Sequence, residues 1–173
     1  HVRNGGSWSQ SGTANVEGVG GYSATMNVNS GGSFTHSGSA SFKINGAAGN
    51  SGQALLAIAG TFTTASGFEQ TTTPTTGYGR VTLSGMLILS NNVPALTTGV
   101  QFYVSGSGGT MDTNGFNTSI SANVIGVAAG ASLTKIGEGT LTLDGTNYYT
   151  GPTWLDAGTL AGKGTPPSKV TAA

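Results

Sequence analysis

The stretch LTKIGEGTLTLDGTNYYTGPTWLDAGTL, residues 133–160, alternates apolar and polar residues, breaks at glycine, and alternates again. Leu141 and Leu143 fall on one side of an extended chain, and Thr140, Thr142 and Asp144 on the other. That period of two marks a half-buried strand. Asp144-Gly145 and Tyr149-Thr150-Gly151-Pro152 carry turn signals. A second strand follows at Thr153-Trp154-Leu155-Asp156, and Ala157-Gly158 turns the chain into a third at Thr159-Leu160-Ala161. Three short strands with tight glycine corners, and no residues left over for a helix, make one coil of a parallel β-helix.

The rest of the chain repeats at a similar interval. Gly5-Gly6-Ser7-Trp8-Ser9-Gln10-Ser11-Gly12 is echoed by Gly31-Gly32-Ser33-Phe34-Thr35-His36-Ser37-Gly38, then by Gly60-Thr61-Phe62-Thr63-Thr64, then by Gly85-Met86-Leu87-Ile88-Leu89. Trp8, Phe34, Phe62 and Leu87 therefore form one expected inward column, and Val28, Ile58 and Leu83 a second. Intervals of about 25 to 30 residues match one coil of a solenoid. They predict about six to seven coils over residues 1–162, with a Pro-containing tail at 163–173. A β-sandwich also uses short strands at regular spacing, but it gives no reason for a 26-residue block to return with its glycine pair and aromatic in place. The polar run from Phe68 to Gly79 reads as a loop, as Pro74 cannot join a central ladder. Asn91-Asn92-Val93-Pro94 reads as a corner, and Asn114-Gly115 as a tight turn.

Composition agrees with an all-β chain. Of 173 residues, 31 are Gly, 26 Thr and 19 Ser, and only 7% are charged. Good helix formers for a solvated face are scarce, while β-branched residues abound. Gly/Ser/Thr-rich tracts can stay disordered, yet here 36% of residues are apolar and fall in alternating runs. The formal net charge is zero, which speaks against nucleic acid or an anionic membrane as partner. No apolar run approaches the roughly 20 residues of a membrane-spanning helix. With no cysteine, disulfides and thiolate metal sites are excluded. The chain opens on His1 rather than Met, so a processed end or the edge of a fragment is expected.

Residues 133–160 also resemble a known family, the autotransporter passenger-associated strand repeat. Leu133, Lys135, Gly137, Gly139, Thr140, Leu141, Leu143, Gly145, Asn147, Tyr149, Thr150, Gly151, Thr153, Gly158, Thr159 and Leu160 fit its pattern, while Pro152 and Trp154 depart from it. The resemblance covers about the last sixth of the chain. It implies a bacterial, exported, right-handed parallel β-helix, and it carries over no catalytic residue.

Candidate chemistry is sparse. His36 reads as an outward residue beside inward Phe34, and no second His, Cys or acid completes a metal set in sequence. A copper site at a terminal His1 would need His36 close by. The acids Glu17, Glu69, Asp112, Glu138, Asp144 and Asp156 are scattered. A lyase or glycosidase needs them to converge with a basic residue on one face. Thr61, Thr63 and Thr64 suggest an ice-binding array, which would need the same Thr-x-Thr row in every coil. Tyr148, Tyr149 and Trp154 could stack against sugar rings, or pack and cap the last coil.

The expectation is thus a secreted or cell-surface solenoid with a structural or adhesive role and no enzymatic activity, metal or cofactor. Its expected partner is itself, or flanking coils, end to end. A carbohydrate-binding module is the alternative, and a polysaccharide lyase or hydrolase ranks behind it.

Overall fold

A computed structural model describes residues 1–18, 22–46, 52–71, 77–162 and 170–172. The first turn comprises β1 (Ser7–Gln10), β2 (Asn15–Glu17) and β3 (Ala24–Val28), and the second β4 (Ser33–His36), β5 (Phe42–Asn45) and β6 (Ala54–Ile58). The third holds β7 (Thr61–Thr64), β8 (Phe68–Glu69) and β9 (Gly79–Leu83). The fourth holds β10 (Met86–Leu89), β11 (Val93–Ala95), β12 (Thr97–Thr98) and β13 (Gln101–Val104). The fifth holds β14 (Gly109–Asp112), β15 (Thr118–Ile120) and β16 (Val124–Gly126). Shorter turns follow, with β17 (Leu133–Ile136), β18 (Thr140–Leu143), β19 (Thr153–Leu155), β20 (Thr159–Gly162) and β21 (Val170–Ala172). No helix occurs among the described residues.

Each strand pairs in parallel with its equivalent one turn away, so the fold is a parallel β-solenoid and not a sandwich. One side is an eight-stranded sheet, β1-β4-β7-β10-β14-β17-β19-β21, and a second is a five-stranded sheet, β3-β6-β9-β13-β16. The third side is divided into β2-β5-β8-β12 and β11-β15-β18-β20. The division falls in the fourth turn, where the register shifts between Val93 and Ala95. Pro94 lies between them and has no N–H to give the ladder, so it sits where proline is tolerated, on an edge strand at an irregularity.

Along the eight-stranded sheet the inward column runs Trp8, Phe34, Phe62, Leu87, Met111, Lys135, Leu155. Phe34, Phe62 and Leu87 are buried, as are Val28, Ile58 and Leu83, which pair in sequence across the second sheet. Phe62 lies at the centre of an aromatic cluster. It stacks on Phe34 at 5.0 Å between centroids and meets Phe42 at 5.5 Å and Phe68 at 5.6 Å, edge to face. Each such pair adds about 0.5–1.5 kcal/mol beyond area burial.

Three expectations need correction. Trp8 holds its place in the register, yet it is 55% exposed. It belongs to the first strand of its sheet, so among the described strands of that sheet it is covered from one side, by Phe34 at 5.4 Å. Phe68 is not in a loop: it is a buried strand residue paired with Phe42. The coil count is about five complete three-sided turns rather than six to seven. The interval along the inward column is 26 residues from Trp8 to Phe34 and 28 from Phe34 to Phe62, but only 20 from Lys135 to Leu155 and 17 from Leu155 to Ala172. A coil of 20 residues has fewer residues for its other two sides than one of 26 to 28. After the fifth turn, the described residues keep only the bridge Val124–Asn147 on the second side.

Two corners show why glycine recurs. Met86 N–H donates to Gly60 O at 2.9 Å, and Thr61 N–H to Gly32 O at 2.9 Å. A Cβ on Gly60 would lie 2.2 Å from Gly32 O, and one on Gly85 2.2 Å from Gly60 O. The turns therefore touch backbone to backbone at this corner. At the Asn114-Gly115 turn both residues have positive φ, 49° and 86°, as a tight turn of this kind requires. At the C-terminal end, β21 pairs with β19, so Val170–Ala172 rejoins the long sheet. The expected Pro-Pro linker, 163–169, and Pro74 lie outside the described residues.

Candidate functional site

The outward face of the long sheet carries a column in register: Ser7, Ser33, Thr61, Met86, Thr110, Thr134, Trp154, Thr171. Short hydroxyl side chains dominate it, and Met86 and Trp154 are the exceptions. Beside this column, at the corner that leads into the sheet, runs an open groove of about 420 Å³. Gly60, Gly85 and Gly109 line it, along with Thr110, Thr134 and Trp154. It crosses successive turns along the rod axis, because its lining residues come from equivalent positions one turn apart. Trp154 is 41% exposed.

The three aromatics considered for ligand stacking are not brought together. Tyr149 is buried, and its hydroxyl is 2.6 Å from Thr153 Oγ1. Burial pushes the Tyr149 phenol up to about 12, against a small opposing effect of that hydrogen bond. It is a packing residue with no face to offer. Tyr148 is 59% exposed, but it does not line the groove. Only Trp154 combines exposure with a concave neighbourhood.

His36 is corrected from outward to inward. It is fully buried, with Nε2 3.1 Å from Gly12 O and Nδ1 3.1 Å from Ser66 Oγ. Residues two apart share a face, so a histidine two places after inward Phe34 must also point in. Both ring nitrogens are engaged, which leaves neither free to join a copper site with His1. The ring of His1 instead faces Asn27, with Nδ1 3.1 Å from its Nδ2. Among the described residues, no group of three His, Cys, Asp or Glu gathers where a metal could bind.

Several acids have local tasks. Asp112 Oδ1 accepts Asn114 N–H at 2.8 Å, and Glu17 Oε2 accepts from Asn15 at 3.0 Å. The Thr-x-Thr array also ends early. Thr61 and Thr63 pair with Ser33 and Thr35 on one side but with Met86 and Ile88 on the other, while Thr64 is buried and donates to Ser66 O at 2.7 Å.

Sequence reasoning missed the role of Lys135. It stands in the inward column, fully buried, between Met111 and Leu155. Its ammonium donates to Ile136 O at 2.9 Å, to Ala157 O at 3.1 Å and to Gly137 O. The lysine thus ties its own corner to the next turn through carbonyl oxygens. Burial lowers its pKa from the ordinary lysine value, while the charges of Asp112 and Glu138 pull it back up. The alternation Leu133, Lys135 already placed it inward, but only the structure supplies the oxygens.

This carbonyl-capped, glycine-cornered turn is the segment that a protein family shares. Residues 133–161 match the family model of the passenger-associated-transport-repeat. The passenger repeat thus covers the sixth and seventh strands of the long sheet, from Leu133 in β17 to Leu155 in β19, together with β18 and most of β20. The upstream turn stacks on it in register, Gly109 on Leu133, and Leu133 in turn on Thr153. No curated protein and no solved structure matches the chain.

Proposed function

We propose that this chain is a structural, adhesive solenoid segment of a bacterial secreted or surface protein, and that it associates end to end. A passenger repeat in a parallel β-solenoid fits an autotransporter passenger-like structural domain, and a repeat of this kind suggests a secreted or surface-exposed location. The observation that carries the reading is the eight-stranded parallel sheet that runs the length of the rod. A ladder of this kind resists bending and presents few open loops to proteases. The work assigned to it is mechanical, and no catalytic step is assigned.

The ends supply the adhesive part. Strand edges carry unpaired N–H and C=O groups that template further pairing. β1 and β21 are the terminal strands of the long sheet. Trp8 leaves half of its surface bare at the first of these ends. The interval along the inward column falls from 26–28 residues to 17, and the long sheet is the side whose strands run from β1 to β21, so the joint is placed along it. The joint therefore links β1 or β21 to the matching strand of another copy or of flanking coils, with Trp8 on the β1 side.

Sedimentation velocity over a wide concentration range tests this, with Trp8→Lys as the control. The wild type should gain mass with concentration, and the variant should stay monomeric. A wild type that remains a monomer at every concentration sinks the end-to-end reading. Negative-stain images that show dispersed short rods instead of filaments would agree with that refutation.

A further inference from the structure

We infer that the axial groove beside the long sheet binds a neutral polysaccharide strand, with Trp154 as its stacking platform. The starting point is what the fold does not need. Trp154 points outward from β19, in a column whose neighbours are Thr134 and Thr171. Ser7, Ser33, Thr61 and Thr110 fill the same position in other turns, and Met86 in one. A small hydroxyl is therefore sufficient for the sheet there. An indole left 41% exposed at such a position keeps apolar surface in water that threonine would not. The glycines beneath it are explained by the contact of turn on turn, so they are not themselves the signal.

The groove's chemistry narrows the ligand. No charged residue lines it, so it offers no ion pair to a uronic acid, a phosphate or a charged peptide. Its floor amides are already used: Met86 N–H donates to Gly60 O and Thr110 N–H to Gly85 O, both at 2.9 Å. An extended peptide could not add to a sheet whose strands here are paired on both sides. Side-chain hydroxyls remain, from Thr61, Thr110, Ser132 and Thr134, with one aromatic face at Trp154, while Ser84 Oγ already donates to Ile58 O at 3.2 Å. Hydroxyls that both donate and accept, beside an aromatic plane, suit a sugar ring, whose edge carries hydroxyls and whose face carries C–H groups. Thr110 and Thr134 repeat the hydroxyl one turn apart, about 4.8 Å, and Thr61 offers another beyond Met86, a spread along the axis that favours a polymer over a single sugar. This inference goes beyond the structural reading and does not depend on end-to-end association.

Affinity electrophoresis of the full chain tests it, in gels containing hydroxyethylcellulose, laminarin or amylopectin, with polygalacturonate as the anionic control. At least one neutral glycan should retard the wild type, and polygalacturonate should not. Trp154→Ala should lose the retardation by tenfold or more. Thr110→Val with Thr134→Val keeps the branched shape but removes two hydroxyls, and should weaken binding several-fold. In a Trp8→Phe background, the only remaining tryptophan fluorescence should shift with the glycan that binds. Absence of retardation by all three neutral glycans overturns the inference. So does binding that is undiminished in both variants, or binding to polygalacturonate alone.

Discussion

Replacing Lys135 with methionine decides whether this residue holds the rod together or merely fills its core. Methionine is what the same inward column carries one turn earlier, at Met111. If Lys135 were filler, exchanging a buried ammonium for an apolar group of similar volume would stabilise the protein by about 1–4 kcal/mol. The structure argues for the opposite sign. Ile136 O keeps a second donor, Thr113 N–H at 3.2 Å; Gly137 O keeps only a 3.4 Å approach of Thr113 Oγ1, whose hydrogen is better placed on Glu138 O at 2.6 Å, so Gly137 O and Ala157 O lose their main partner. An unsatisfied carbonyl costs about 1–3 kcal/mol, so two cost about 2–6 kcal/mol. After subtraction of the apolar gain, low end from low and high from high, Lys135→Met should destabilise by about 1–2 kcal/mol.

Because each turn contacts only its neighbours, the loss should be local. Hydrogen exchange should therefore accelerate between residues 133 and 162 and stay unchanged in β4, β7 and β10. Urea unfolding followed by circular dichroism should show a lower midpoint. A higher midpoint, or unchanged exchange at 133–162, refutes the carbonyl-tie reasoning. The pH dependence gives a second check. Burial lowers the folded-state pKa of Lys135 below the usual 10.5. Between that lowered value and 10.5 the unfolded chain holds more protons, so this lysine makes stability rise with pH there. Lys135→Met should abolish that rise.

Other predictions follow from single contacts. Gly85→Ala drives a Cβ to 2.2 Å from Gly60 O and should cost about 3 kcal/mol or more, whereas Gly12→Ala meets nothing within 4 Å and should be close to neutral in the same thermal melt. Phe62→Ala should cost about 3–5 kcal/mol and raise exchange chiefly in β4, β7 and β10, leaving β17 to β20 protected. Tyr149 holds its proton to about 12 in the folded state, so from pH 10 upward the folded state binds the extra proton and stability falls, by about 2.7 kcal/mol over two units. Its phenolate absorbance should appear late, with unfolding, and Tyr149→Phe should remove that alkaline loss while costing about 1–3 kcal/mol near neutrality through the unpaired Thr153 hydroxyl.

Much of the fold was legible because a parallel solenoid writes its register into the sequence. The pairs Trp8–Phe34 and Phe34–Phe62 and the column Val28–Ile58–Leu83 could be read directly. A core position one turn away must be filled by a residue that stacks. What could not be read was depth along the axis. Trp8 looks like Phe34 in sequence and differs only in having one neighbour instead of two. The candidate site was less legible still. Trp154, Tyr148 and Tyr149 are close in sequence, but alternation and a corner send them to different surroundings, with Tyr149 buried and only Trp154 beside the groove. His36 and Lys135 were readable as inward from spacing alone. A polar residue in a core column asks for partners, however, and Ser66 and Ala157, 30 and 22 residues distant, are supplied by neighbouring turns.

The narrowing of the rod follows from the same physics and explains why a fixed period misleads. A turn must match its neighbour only where the two share a ladder. In the long sheet every strand from β1 to β21 is so constrained, and the inward column persists through Leu155. The other sides are free to shrink once their strands stop pairing. Among the described residues that happens on the second side after Val124–Asn147, whereas the third side only passes from one sheet to another at Pro94 and stays paired through β20. Removing residues from an unpaired side sacrifices no hydrogen bond of the long sheet, so the interval can fall from 28 to 17 while that sheet continues. The chain's periodicity therefore reports one conserved surface of the solenoid, not its perimeter. Ligand grooves and joints between copies are accordingly to be sought along the long sheet, where geometry repeats, and not on the sides that dwindle.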